Sequence, residues 1–277
     1  MNRLKFIRVM VILGVFASLS ILAGCGGEDP TTNAANARSD ADLQALADQA
    51  AASSGITNWN TVDATNAGAL GENMVDSAES IGSNADPNGN MLMAAGNTLV
   101  KNLQSRLNNR FQRSASFNAV TESYPVNQTY SCGLSGNTVV NGVIVLDYVL
   151  GQTSGHLNMS VDNMSFAFNG CKESGATYTI WGELLLNLDD NISYSVNGSN
   201  INGTFTLDEY LDGGLAVSDG TNNYNFIYSF SAVGGGTGVN STLTSVDVTV
   251  TMRVGAVTCT AHMTDPDPNA TPSWSCN

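Results

Sequence analysis

The chain has 277 residues, with 10 basic and 24 acidic side chains, a formal net charge of −14 and only 12% charged residues, against roughly 25% in ordinary soluble domains. That balance excludes nucleic-acid binding, which needs a basic footprint to displace counterions, and it excludes broad electrostatic adhesion to an anionic bilayer. The length suits one large domain or two small ones with a sizeable core.

Residues 1–24 begin with Arg3, Lys5 and Arg8, continue through an apolar segment from Val9 to Ile21, and end at Leu22-Ala23-Gly24. This is the basic, apolar and small-residue order of a secretory signal. The apolar segment is shorter than the roughly 20 residues that span a bilayer. Leu22-Ala23-Gly24-Cys25 resembles the bacterial lipobox. The resemblance implies that Cys25 carries lipid (palmitate among its acyl chains) and becomes the first residue of the mature protein. It also implies a periplasmic or surface-facing protein tied to a membrane. Gly26 stands where an Asp would signal retention at the inner membrane, so the outer membrane is the expected destination. Removal of the signal leaves 253 residues with seven basic and 24 acidic side chains, a net of −17, and attachment then falls to the lipid.

Residues 25–40 read as a flexible tether and residues 41–118 as a helical segment. Ser39 or Asp40 can cap a first helix with Leu43, Leu46, Ala47 and Ala50 on one face, and Gly55 stops it. A second, bounded by Gly68 and Gly82, carries Leu70, Met74, Ala78 and Ile81. After the turn signal Asp86-Pro87-Asn88-Gly89, the third and longest covers Met91–Arg113, with Leu92, Leu99, Leu103, Leu107 and Phe111 on its apolar arc. Lys101, Arg106, Arg110 and Arg113 lie on it. They could form a cationic edge, but arginines in the last turns also complement the helix dipole, which is the simpler reading.

From about residue 119 to 277 the period changes to two. Tyr178, Ile180, Leu184, Leu186 and Leu188 alternate with polar residues, as do Tyr224, Phe226, Tyr228 and Phe230, and Val246, Val248, Val250, Met252 and Val254. Such alternation marks antiparallel strands with one face buried. Short turn sequences, among them Gly151–Gly155, Gly170–Gly175, Asp189-Asp190-Asn191, Asn197-Gly198, Asp212-Gly213-Gly214, Asp219-Gly220 and Gly234-Gly235-Gly236, leave no room for crossovers, so a meander of about eight strands is expected. Val143 to Leu150 is apolar on both faces, and Trp181 and Leu185 sit on the nominally wet side of their strand. The helices offer the spare apolar surface to cover them. The expected fold is α+β, mainly β: N-terminal helices packed on a large antiparallel sheet that forms a half-barrel, barrel or sandwich.

With Cys25 lipidated, Cys132, Cys171, Cys259 and Cys276 remain, an even number that reads as two disulfides in an exported protein. Three pairings are possible. Cys132–Cys171 with Cys259–Cys276 is favoured: one hairpin brings the first two into register, and Cys276 needs a nearby partner. A four-Cys zinc site lacks ligand spacing.

No catalytic constellation emerges, and the chain reads as non-enzymatic, without cofactor. His156 and His262 stand apart, and His262 with Asp265 and Asp267 lacks a known ligand spacing. Gly234-Gly235-Gly236-Thr237-Gly238 has no helix after it and reads as a hairpin loop. Asp189-Asp190 and the group Asp208, Glu209 and Asp212 could form paired carboxylates or a weak Ca²⁺ site. Turn aspartates that bond their own backbone are the commoner explanation. The expected role is a structural or protein-binding module of the envelope, with a possible envelope protein partner. The alternative is a carrier of an apolar ligand, in a half-barrel closed by helices, with an architectural resemblance to lipoprotein-carrier proteins.

Overall fold

The computed structural model describes residues 38–71, 73–74, 119–150, 154–197, 200–237, 242–263 and 273–277. Among the described residues, nine strands follow one another in a single antiparallel sheet whose spatial order is the chain order. They are β1 (Val120–Ser131), β2 (Ser135–Leu150), β3 (Ser154–Lys172), β4 (Thr179–Asn197), β5 (Asn200–Ser218), β6 (Asn223–Thr237), β7 (Thr242–Val254), β8 (Val257–Met263) and β9 (Ser273–Cys276). The protein is thus mainly β. Three consecutive strands, β3 to β5, have 19 residues each, about 60 Å at the usual rise.

Alternation gives the sheet one apolar face, here the core face. Ile144, Leu146, Met159, Val161, Phe166, Leu186, Leu188, Leu215, Phe226, Val250 and Met252 form one continuous cluster on it. In β3 the alternation is reset twice. Register shifts fall between Val161 and Met164 and between Asn169 and Cys171, so Val161, Met164 and Cys171 all reach the core although their spacing is odd. Asn163, at φ 51°, occupies the first bulge.

The described helices lie on opposite faces. Helix α1 (Asp40–Ser54) starts at Ser39, whose hydroxyl accepts from the Asp42 amide at 3.2 Å, a cap worth about 1 kcal/mol. It stops at Gly55, which adopts φ 68°, a left-handed conformation that costs glycine least. Its apolar side is small. Leu43, Ala47 and Ala50 are buried, and Leu43 and Ala47 cluster with Ile227 of β6, away from the core face. What seats α1 is close approach of backbones. A Cβ at Gly214 would overlap the backbone of Leu46 and Ala47, and one at Gly182 would stand 2.8 Å from the Ala50 methyl.

Helix α2 (64–71) lies on the core face. Asp63 caps it by accepting from Thr65 and Asn66 amides at 2.8 and 3.1 Å, and Asn66 returns an acceptor to the Asp63 amide at 2.7 Å. Val62, Ala67, Leu70 and Met74 join the core cluster, each large side chain contributing roughly 1.5–3 kcal/mol. Between the helices, the chain crosses the rim of the sheet at the start of β6. The Asn60 amide donates to the Asn223 carbonyl and the Asn223 amide to the Asn60 side chain, both at 2.7 Å.

Several expected boundaries move. Asp189-Asp190-Asn191, Asp212-Gly213-Gly214 and Gly234-Gly235-Gly236 lie inside β4, β5 and β6, not in turns. A turn at Gly255-Ala256 splits the last expected strand into β7 and β8, so Cys259 and His262 belong to β8. Gly68 lies within α2, where its Cα faces the Trp274 indole, as does that of Gly71. On the face opposite the core, Leu185 is buried, whereas Val143 is exposed. The Met91–Arg113 helix lies outside the described residues, as does Cys25.

The disulfides are Cys132–Cys171 and Cys259–Cys276, with Cα atoms 5.4 and 4.0 Å apart. The first staples the β1–β2 turn to the end of β3, and the second joins β8 to β9, whose Cys276 stands directly opposite Cys259.

Candidate functional site

Near the middle of β4 and β5 the core face carries two acidic side chains. The alternation Leu184-Leu186-Leu188 continues to Asp190, and that of Leu215, Gly213 and Leu211 continues to Glu209, so both carboxyls point into the core face. The register places Leu188 opposite Glu209 on one side and opposite Val161 on the other. Met159 stands opposite Asp190, and Ala232 opposite Glu209. Met159, Val161, Leu188, Leu211 and Ala232 are all buried.

Glu209 keeps 2% of its surface exposed and Asp190 8%. The Asp190 carboxyl accepts from the Asp208 amide at 3.3 Å, and among the described residues Glu209 Oε1 has no hydrogen-bond partner. Burial pushes Asp190 up to about 7, against the Asp208 amide bond, which favours the charged form, and with the help of the neighbouring Asp189 and Asp208 charges. Burial also pushes Glu209 well above the ordinary carboxylate range, and the charge of Asp190 adds to the effect. Two carboxyls in one apolar site resist joint ionisation.

The opposite face carries a separate polar group. Arg38 Nη2 donates to the Asn163 side chain at 2.7 Å, and Arg38 Nε lies 3.6 Å from Asp212. The Asn163 amide donates to Asn187 Oδ1 at 2.9 Å. Burial raises Asp212, while the Arg38 charge and hydrogen bond pull the other way. This cluster fixes the chain ahead of α1 against β3 and β5.

The residues singled out for Ca²⁺ therefore do not converge. Asp208 and Asp212 share the parity of the outer face, and Glu209 that of the core face. A turn would have brought all three together, but a strand separates them. Asp189 likewise turns away from Asp190, toward Asn158, whose side chain donates to it at 2.8 Å. His262 meets Asp247 at 2.8 Å on the surface, while Asp265 and Asp267 lie outside the described residues. His156 is exposed near the start of β3. Among the described residues, Cys132, Cys171 and Glu173 are the one set of three potential metal ligands within 4.8 Å of one another. Both sulfurs are committed to the disulfide, and Glu173 accepts from the Gly133 amide at 2.9 Å.

Asp190 was hidden in the sequence by its company. Asp-Asp-Asn reads as a turn, yet the parity of Leu184, Leu186 and Leu188 already assigns Asp190 to the buried face. Comparisons with protein-family models, with curated proteins and with solved structures give no match for this chain.

Proposed function

We propose that the protein is a lipid-anchored component of the bacterial cell envelope, held by Cys25 at the outer membrane, whose β domain is a non-enzymatic carrier of an apolar ligand. In this reading the sheet forms a half-barrel around the ligand, and α2, on the core face, helps to close it. The observation that carries the proposal is the acidic pair on the core face. An unpartnered buried polar group costs about 1–3 kcal/mol, and more if it is charged. A purely structural or protein-scaffolding sheet gains nothing from such a group at its centre. A site that receives its partner from outside the chain does.

The test is direct. The chain lacking its signal and Cys25 (residues 26–277) is purified from the periplasm without detergent, extracted with organic solvent, and the extract analysed by mass spectrometry. A carrier retains a bound apolar compound in near-stoichiometric amount. A clean extract, together with no uptake of an apolar dye, favours the structural module.

A further inference from the structure

We propose that the core-face pair Asp190 and Glu209 receives the protonated amine of an amphiphilic ligand, whose apolar body lies against Met159, Val161, Leu188, Leu211 and Ala232. The inference rests on the carrier reading and specifies the chemistry of the ligand's polar end.

The geometry selects that chemistry. Glu209 stands opposite Leu188 on the neighbouring strand, and Asp190 lies two residues further along the same face. Diagonal partners of this kind are about 7–8 Å apart at the backbone, a gap that side chains of this length can close around one small donor group. An ionised carboxyl only accepts hydrogen bonds, and among the described residues no Lys, Arg or His pairs with either one. A fatty acid or a phosphate would bring further negative charge to a site that already resists ionising twice. An alcohol supplies one donor and no charge. An ammonium supplies three donors and one positive charge, which suits two buried carboxyls that resist ionising together. Charge-assisted bonds of this kind are roughly twice as strong as neutral ones.

The pair is distinct from the outer-face acids. Asp189 engages Asn158, and Asp212 faces Arg38. Glu209, 2% exposed, has an oxygen with no hydrogen-bond partner among the described residues, whereas the buried Asp212 has the Arg38 charge beside it. A divalent cation is the competing occupant, but neither carboxyl belongs to a set of three close ligand groups among the described residues.

The experiment uses residues 26–277 and isothermal titration with decylammonium chloride, decanol, decanoate and CaCl2 at neutral pH. Decylammonium should bind about tenfold or more tightly than decanol, and decanoate more weakly than either. In the double variant Asp190→Asn/Glu209→Gln that preference should vanish, with decanol binding retained and thermal stability no lower than wild type. Asp247→Asn, an exposed acid on β7, should behave as wild type. Equal binding of decylammonium and decanol overturns the amine assignment and leaves the carrier reading standing. Ca²⁺ binding that is lost in the double variant overturns it in favour of a metal site. Binding of none of the amphiphiles overturns both readings.

Discussion

Gly214 of β5 and Ala47 of α1 meet backbone to backbone: a methyl group at Gly214 would overlap the Ala47 amide. The helix has few large side chains to bury, so it is held by proximity, by its caps and by surface pairs such as Asp40 with Arg253 at 2.7 Å. An exposed pair of that kind contributes at most about 1 kcal/mol.

Gly214→Ala should therefore lift α1 off the sheet and cost about 1–3 kcal/mol, the usual range for overpacking. The core face should survive. Hydrogen exchange is the suitable measurement: faster exchange confined to α1 and the adjoining β4–β6 amides is expected. Unchanged protection in α1 would show that the close approach is unnecessary.

Stability should fall as pH rises. A group whose folded pKa is raised contributes most below its unfolded value and loses that contribution as pH climbs through the folded one. At about 1.4 kcal/mol per pH unit, raising Asp190 from 3.8 to about 7 corresponds to a loss on the order of 4 kcal/mol as pH climbs from about 4 to about 7. Glu209 adds to the loss at higher pH. Asp219 opposes the trend weakly: desolvation pushes it up, but bonds from the Asn222 and Thr221 amides and the Asn222 side chain hold it below its ordinary value. Urea melts at pH 5 and pH 8 should show the difference. Asp190→Asn/Glu209→Gln should flatten the slope and raise stability at pH 8; a slope identical to wild type would rule the pair out as its source.

The two disulfides should differ in what their loss releases. Cys132–Cys171 closes a sequence separation of 39 and Cys259–Cys276 one of 17. By chain entropy each contributes about 3–4 kcal/mol, the longer loop slightly more. Cys259→Ser/Cys276→Ser should also free β9, which carries Trp274 against α2. Its tryptophan emission should shift to the red while far-ultraviolet dichroism stays near wild type. Cys132→Ser/Cys171→Ser should lower the melting temperature without that shift.

The proposed lipid anchor is tested separately. Cys25→Ser should accumulate an unprocessed precursor in the membrane fraction, seen as a band heavier than the mature protein. Normal cleavage of that variant would remove the basis for the anchor.

The long alternating strands were legible because period two is visible wherever the polar face is wet. Ser39 and Gly55 likewise marked α1 from both ends, and the favoured cysteine pairs are the bonded ones. Turn chemistry misled where it lay inside strands. Asp212-Gly213-Gly214 looks like a hairpin, but Gly214 is small to admit a helix and Asp212 faces Arg38. Glu209 was read with Asp208 and Asp212 as one cluster, although strand geometry assigns adjacent residues to opposite faces. The division of α1 and α2 between the two faces had no local signal, since it depends on the rim contact between Asn60 and Asn223, 163 residues apart.

That rim contact also orders events in time. Neighbouring strands pair in chain order, so the sheet can lengthen hairpin by hairpin with short loop closures. The helices come first in the chain, yet α1 is seated on β4, β5 and β6 and α2 meets Trp274 of β9, so they cannot dock until most of the sheet exists. During synthesis, when the chain emerges from its N-terminal end, α1 and α2 must wait through the synthesis of more than half the protein. Their docking is a late, long-range step that should set the folding rate.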